Sequence, residues 1–586
     1  MRVTMESKPP LFYKSAKESW LSGEVQRGER AIACALLALL ILLKFFFVFR
    51  YAFDSDEPQH LHVVWGWANG LVQYRDFFDN HAPLFHLLCA PLLKLIGQGP
   101  ETLFAMRLAM IPLCIMALWC TYAIGRELFS VRCGLWAAVC VGLWPQFFFW
   151  SIEFRPDTLW TVLLLLAVTV LVRAGLSAAR SFSVGFLLGA AMGVSVKTTF
   201  LLASLGLGAL ALVAAPASFY LPRYDCKRLG KYGVAFLAGF FVVPSLVFFS
   251  FYRWDALGCL FSQTIQHNSI SGLGLWDNLY EQILIFSLSL LPLWFIARSM
   301  ARHTRHEGLL ARRLIVLFIC FLYFSLLIAF CPLMELEHFL PFFPLVFIFL
   351  APLLCNPLPL RIFAQVRQHM SRCLSMWVIP ALVALLEVGA ILAFNPGELL
   401  NDSIMVKKNL ISDVLRLTGT DDPVADLKGE TIFRQRSSYY VFEKITRVRL
   451  KRGLMTDDIP ERLIATRTCV ATPDNEHFPP RARDFLNENY IPVGSLRVAG
   501  KLLNPLSDAA QPFSFSIRIP SQYVIVSQNG FTAGRLDGKH YDSGACFLEA
   551  GKHEFLPSTP SVRYAFFWAK AHERGYSPFD FWDTTQ

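Results

Sequence analysis

The sequence predicts a polytopic α-helical membrane protein of about eleven spans. Interfacial helices follow the first span, and a C-terminal extracytoplasmic domain combines an α/β segment with a β-sandwich-like portion. Three observations predict this class. The 586 residues are 54% hydrophobic and only 17% charged, where a globular domain carries about 25% charged residues. Apolar runs near the roughly 20 residues that a bilayer requires recur through the first two thirds of the chain. From about residue 396 the composition turns soluble. The expected order is a cytoplasmic tail at 1–30, a transmembrane domain at 31–395 with an extracytoplasmic loop at 51–97, and an outer domain at 396–586.

The apolar runs lie near 31–50, 102–124, 133–150, 158–173, 182–196, 198–216, 233–251, 281–297, 314–331, 340–355 and 376–395. The stretch 82–97, "APLFHLLCAPLLKLIG", is short, holds two prolines, a histidine and a lysine, and suits a helix lying in the interface. Charge bias supports that reading. If 82–97 does not cross, the basic segments "GRELFSVR", "RAGLSAAR", "PRYDCKRLGK", "RSMARHTRHEGLLARR" and "RIFAQVRQHMSR" share the cytoplasmic side with the N-terminal tail. The net charge of +10 therefore reads as a topology signal, and nucleic acid is not an expected partner. The 14 cysteines are scattered with no CxxC spacing and read as small apolar packers; a disulfide between Cys469 and Cys546 has no support in the sequence.

Beyond 396, "ETIF", "YYVFEK" and "RLIATRTCVAT" read as short strands and "PPRARDFLNENY" as a helix. After 510, "FSFSIRI", "QYVIVSQ", "ACFLEAGKHEF" and "VRYAFFWAK" alternate as antiparallel strands, with Asn-Gly, Asp-Gly and Ala-Gly turns between them.

The same topology gathers polar clusters on the non-cytoplasmic face. "FDSDEPQH" presents Asp54, Asp56 and Glu57 directly after the first span, then His60 and His62, and no cation follows until Arg75. A capping box explains part of it, with Asp56 as cap, Pro58 in the first turn and Gln59 at the third position. A carboxylate at the membrane surface also suits a general base acting on a hydroxyl. "YRDFFDNHAPLFH" sets Arg75, Asp76, Asp79, Asn80, His81 and His86 among Phe and Pro, where polar groups are expected to pair with one another or with a ligand headgroup. "EFRPD" places Glu153, Arg155 and Asp157 at the start of a span; Asp157 suits a helix cap and Arg155 a partner for Glu153. Lys197 interrupts a long apolar run. It reads as a lysine snorkelling to the interface or as a site for an anionic group such as a lipid phosphate. "MELEH" adds Glu335, Glu337 and His338, while "QHN" at 266–268 is the weakest cluster. A divalent metal is left open as a cofactor, since no spacing is diagnostic of one.

In their order, Asp56-Glu57, "GLVQYRDFFDNHAPLFH", "RPD" with Asp157, Lys197 and "HFLPFFP" resemble the motifs of the C-type-fold membrane glycosyltransferases. The resemblance is to the family that includes protein O-mannosyltransferases and the aminoarabinose transferase of lipid A, and it covers roughly 31–355. It implies a membrane-bound hexosyl- or pentosyltransferase that moves a sugar, with inversion, from a polyprenyl-phosphate carrier to a lipid, glycan or protein acceptor. It also implies an integral protein of a bacterial inner membrane whose active site faces the periplasm. Carried over by residue, Asp56 matches the general base and Asp157 the second acidic position. His81 and Lys197 match positions that meet the lipid phosphate, with Arg75 beside them. Asp54, Glu57, His60, Asp79, Glu153, Arg155, Glu335 and His338 would be supporting groups. The chain departs from the aminoarabinose transferases at Asn80-His81, where those have Glu-Lys, and at Ala82, where a proline is expected.

Three other readings compete. A transporter or flippase of lipid-linked sugars would place ionisable residues at mid-membrane within internal repeats, whereas here they gather at span ends. A ligase or polymerase using a diphosphate-linked donor is a second enzymatic option. A membrane anchor for a carbohydrate-binding domain leaves Lys197 and the acidic loops without a role.

Overall fold

The computed structural model describes residues 25–173, 177–214, 226–269, 294, 296–298, 300, 307–330, 336–355, 372–393, 403–473, 476–503, 511–530, 532–559 and 562–579. The chain divides into two compact units. The first combines Met1–Phe49, Leu108–Phe249 and Ser271–Pro396; the second combines Arg50–Arg107, Ser250–Ile270 and Gly397–Gln586.

Among the described residues, four helices are long and apolar enough to cross a membrane: Arg27–Val48, Thr102–Leu128, Gly230–Arg253 and Arg312–Phe330. Shorter apolar helices include Val131–Leu143, Pro156–Val172, Ala178–Val194, Phe342–Cys355 and Trp377–Ala393. Each begins or ends within a few residues of an expected run. The run at 133–150 breaks at Trp144, whose extended backbone (ψ 120°) precedes Pro145 and a second short helix, Pro145–Trp150. The run at 281–297 lies largely outside the described residues. "APLFHLLCAPLLKLIG" forms the helix Leu84–Ile96, 13 residues long.

The first unit is a helix bundle, and a buried polar cluster joins two of its helices. Glu29 accepts from Arg132 Nε (2.7 Å), Arg132 Nη2 (2.9 Å) and Trp136 Nε1 (3.0 Å). Two helices, Ala178–Val194 and Cys226–Arg253, meet through glycine. A methyl group on Gly185 would stand 2.0 Å from the Phe236 carbonyl, one on Gly189 2.1 Å from that of Phe240, and one on Gly239 2.1 Å from that of Phe182. In lipid, where no hydrophobic force drives helices together, such backbone approach is a main source of association.

The soluble part of the second unit carries two sheets. The larger runs β1–β2–β4–β11–β6–β9, with β3 also on β4: β1 Val424–Ala425, β2 Val470–Ala471, β3 Tyr490–Val493, β4 Leu496–Leu503, β6 Ser521–Ser527, β9 Cys546–Leu548 and β11 Tyr564–Trp568. The smaller runs β5–β10–β7–β8: β5 Phe513–Ile517, β10 Gly551–Pro557, β7 Ala533–Leu536 and β8 Lys539–Asp542. Pairing is antiparallel except for β1 with β2. Phe515 stacks on Phe566 at 4.4 Å and Phe555 meets Tyr564 at 5.5 Å, so the sheets pack face to face as the alternating pattern requires. Asp537-Gly538, both at positive φ (48° and 78°), close the β7–β8 hairpin.

Upstream of residue 490 the strand expectations fail in part. "ETIF" is a loop, "YYVFEK" leads into the helix Lys444–Lys451, and "RLIA" belongs to the helix Ile459–Ala465; within the three expected segments Val470–Ala471 alone is strand. Side-chain hydrogen bonds, not ladder pairing, satisfy this backbone: Asp426 accepts the Gly429 and Thr431 amides, and Glu443 caps the helix that follows it. Cys469 and Cys546 are free thiols.

The glycine seam makes a sign prediction. On an open helix face, Gly→Ala stabilises by up to about 1 kcal/mol. Gly189→Ala should instead lower the thermal unfolding midpoint of the full-length protein in detergent, at an overpacking cost of about 1–3 kcal/mol. Gly206→Ala, where nothing lies within 4 Å, should not.

Candidate active site

In the second unit the helix Asp56–Ala68 starts with Ser55 as cap, and no side chain of Ser55 closes it. The expected box, 56 with 59, is displaced by two residues to 54 with 57. Asp54 Oδ1 accepts the Asp56 amide (2.8 Å), and Glu57 Oε1 accepts the Asp54 amide (3.0 Å). Asp54 thus does the capping expected of Asp56, and the Asp56 carboxylate is left for other contacts.

The two neighbouring acids differ sharply. The Glu57 side chain is fully buried and held by Arg107, whose Nε lies 2.7 Å from Oε2 and whose Nη2 binds Oε1. Arg107 also donates to the carbonyls of Tyr51 (2.7 Å) and Ala52 (2.9 Å) and lies over the Phe53 ring. The Asp56 side chain is 29% exposed and pairs with Lys428, whose Nζ lies 2.6 Å from Oδ1 and 3.0 Å from Ser55 Oγ. Lys407 donates to the Phe53 carbonyl (2.5 Å). Burial pushes its ammonium down, against the pull of Glu57, Asp54 and Glu430.

One turn along the helix, His60 Nδ1 lies 3.0 Å from His86 Nε2, and its ring meets that of His81 at 4.7 Å. Asp79, fully buried, joins the group: its Oδ1 is 2.9 Å from His81 Nδ1 and its Oδ2 is 3.7 Å from His86 Nδ1. Gln73 Nε2 and the Asn80 amide also donate to Asp79 (2.6 and 2.9 Å). Burial lowers the His86 imidazole to about 4, with Asp79 opposing. Tyr74 sits at φ 71°, its hydroxyl on the His81 carbonyl and its own carbonyl accepting from Tyr439; a left-handed non-glycine residue stores strain, and here tertiary contacts hold it at both ends. Arg75 is engaged by its neighbour Asp76 (2.8 and 2.9 Å) and by the Trp254 carbonyl. "QHN" is tied to the same region: Asn268 and Asn80 exchange hydrogen bonds, and His267 lies 3.2 Å from Glu443.

The first unit holds the other group. The helix Pro156–Val172 takes Arg155 as cap position, so Asp157 stands in its first turn and does not cap it. Arg155 lies among three carboxylates: 3.5 Å from Glu153, 3.6 Å from Asp157 and 3.5 Å from Glu337. Lys197, between the helices Ala178–Val194 and Thr198–Ala214, reaches Asp157 Oδ1 at 3.5 Å and lies over the Trp160 ring. His338 follows Glu337 in a 3-10 turn; Glu335 lies outside the described residues. Among the described residues, no group of three or more His, Cys, Asp or Glu is arranged to hold a metal ion.

Sequence reasoning missed the cations. Arg107, Lys407 and Lys428 carry no local signal, since each meets the 53–57 stretch from 50 or more positions away. Lys44 did carry one, a charge inside the first apolar run. It is fully buried and donates to the Phe148 carbonyl (2.7 Å) and Ser151 Oγ (2.6 Å), securing the turn before Glu153.

Residues 80–248 match the family model for dolichyl-phosphate-mannose-protein mannosyltransferase. No curated protein sequence matches the chain. Among solved structures, ArnT from Cupriavidus metallidurans in the apo state is similar at TM-score 0.56 and 13% identity, over 80% of this chain and 98% of that one. The same protein bound to undecaprenyl phosphate matches at 0.54 and 13%, over 80% and 97%. An oligosaccharyltransferase from Archaeoglobus fulgidus matches over 90% of this chain and 75% of its own at 12% identity and a TM-score of 0.46. The expected resemblance to the C-type-fold membrane glycosyltransferases is borne out.

The buried histidine sets a pH window. Its folded value near 4 lies below the ordinary 6.5, so the unfolded chain binds the proton first and stability falls as pH drops from 6.5 toward 4. The loss should be on the order of 3 kcal/mol. Unfolding midpoints of wild type and His86→Gln, measured across that window, should diverge at neutral pH and converge toward pH 4; parallel curves would remove His86 as the cause.

Proposed function

We propose that the chain is an inverting glycosyltransferase. It moves a hexosyl or pentosyl group from a polyprenyl-phosphate carrier to a hydroxyl of a lipid, glycan or protein acceptor. The fold likeness to ArnT and the family model over 80–248 support the class of reaction. In this reading eleven spans keep the polar clusters on the non-cytoplasmic side of a bacterial inner membrane, facing the periplasm, in line with the distribution of basic segments.

The observation that carries the residue assignment is the contrast at one helix start. Glu57 is sealed behind Arg107, whereas Asp56 keeps 29% of its side chain exposed. Asp56 takes the proton from the acceptor hydroxyl as its oxygen attacks the anomeric carbon. The bond from that carbon to the phosphate oxygen breaks with its electron pair, and the polyprenyl phosphate leaves as an anion. A cation near the departing oxygen lowers the barrier. Lys197 is proposed for the lipid phosphate, with Asp157 as the acid that keeps its ammonium in place. His81, itself oriented by Asp79, is the second candidate for a phosphate contact. Arg75, bound to Asp76, is the weakest.

Asp56→Asn should cut transfer by about 10²–10⁴-fold, the usual worth of a general base, with an unfolding midpoint near wild type. The assay is release of polyprenyl phosphate from a panel of lipid-linked sugars. Retained transfer excludes Asp56 as the base, and loss of the fold alone leaves it only a structural role through its pair with Lys428. Lys197→Ala should weaken binding of undecaprenyl phosphate roughly tenfold, as loss of one charge-assisted contact implies; unchanged affinity removes Lys197 from the phosphate site.

A further inference from the structure

The lysine on Asp56 is not an ordinary surface partner. A loose ion pair between exposed side chains contributes about 0–1 kcal/mol and holds no fixed geometry. Lys428 instead projects from a loop, 426–432, whose backbone is built around buried acids. Asp426, fully buried, accepts the amides of Gly429 and Thr431 (both 3.1 Å) and the Thr431 hydroxyl (2.7 Å), and it is paired with Arg436 at 2.5 Å. Glu430 accepts the amides of Leu427 (3.1 Å) and of Lys428 itself (2.8 Å). Arg436 closes the loop from beneath through the carbonyls of Asp426, Leu427 and Tyr440.

That loop is pressed onto the helix that carries Asp56. Gly429 takes φ 95°, open to glycine at little cost, and a methyl group there would stand 3.0 Å from His62 Cβ. His62 Nδ1 lies 2.8 Å from the Ile432 carbonyl at the far end of the loop. Glycine on one side of Lys428 and a carboxylate on its amide fix the backbone from which the side chain starts, and Ser55 Oγ and Asp56 Oδ1 hold its ammonium.

We propose that Lys428 is a positioning residue for the catalytic base: the loop at 426–432 delivers a held ammonium that keeps Asp56 ionised and aimed. The inference rests on the reading of Asp56 as base, and it makes part of the C-terminal segment a working part of that site. Other charges face Asp56. Asp54 and Glu57 flank it, His60 is one turn on, Arg107 neutralises Glu57, and Lys407 interacts with Glu57, Asp54 and Glu430. Lys428 touches the Asp56 carboxylate directly, its Nζ 2.6 Å from Oδ1, while Arg107 pairs with Glu57 and Lys407 donates to the Phe53 carbonyl. Without it, Asp56 would face Asp54 and Glu57 with less compensation and would hold its proton to higher pH.

The test needs no sugar donor. The full-length protein in detergent is treated with a water-soluble carbodiimide and an amine from pH 3 to 8, and modification of Asp56 is read by peptide mass spectrometry. The reagent's own pH dependence is common to all variants, so differences between midpoints report the carboxyl group. Lys428→Met should raise the midpoint by about one pH unit, the lower end of what an adjacent opposite charge does, while Lys428→Arg should stay close to wild type. Lys428→Gln supplies the same comparison should the Met variant not fold. Midpoints that coincide in wild type and in the neutral variants overturn the proposal. A purely structural role for Lys428 would shift the unfolding midpoint and leave this titration where it was. Transfer that survives Asp56→Asn defeats the base reading separately, since the titration does not depend on catalysis.

Discussion

Acids set beside a membrane have to be matched by cations, and in this chain the matching is done at a distance. The stretch 54–57 holds three carboxylates within four positions, and its compensation arrives from 50 residues away at Arg107, 354 at Lys407 and 372 at Lys428. The Arg107–Glu57 pair is the anchor. Removing one partner of such a buried pair costs about 3–5 kcal/mol because a lone charge is left behind. Its guanidinium also holds the carbonyls of Tyr51 and Ala52, so one side chain fixes both the start of the helix and the chain leading into it. The orientation of Asp56, the seating of Lys428 and the close approach of Gly429 to His62 all presuppose that helix start.

The sequence made the apolar helices legible because lipid permits few alternatives: a backbone in hydrocarbon must satisfy itself. The alternating segments after 510 were legible for a similar reason, since burial on one face of a sheet imposes period two, and Asp537-Gly538 marks its own turn. "ETIF" and "YYVFEK" misled because β-branched and aromatic residues suit strands only where a partner strand exists. Here Asp426 and Glu443 offer the backbone closer partners, and pairings of that kind depend on tertiary placement.

The candidate site was legible as a set of acids and histidines and illegible as a set of partnerships. "EFRPD" showed that Arg155 stands beside acids, and the pair with Glu153 was expected; that Glu337 would join from 182 positions away was not. At the helix Asp56–Ala68, the capping carboxylate stands two residues before the position the pattern indicates. An Asp two residues before a helix satisfies an amide as well as one at the cap, and only the fold decides which is used. That choice separates a structural carboxylate, Asp54, from one with an exposed face, Asp56.

Lys44 has a consequence for the birth of the protein. Its ammonium rests on Phe148 and Ser151, 104 and 107 residues further along the chain. A ribosome adding about 5–20 residues per second needs roughly 5–20 s to make that length. Over that interval the first helix must enter the bilayer with an unanswered lysine, at an insertion penalty of up to about 2.5–3.5 kcal/mol. The remaining leucines and phenylalanines of "ALLALLILLKFFFVF" meet that deficit, so the excess apolarity of the first span serves the nascent chain as well as the finished bundle.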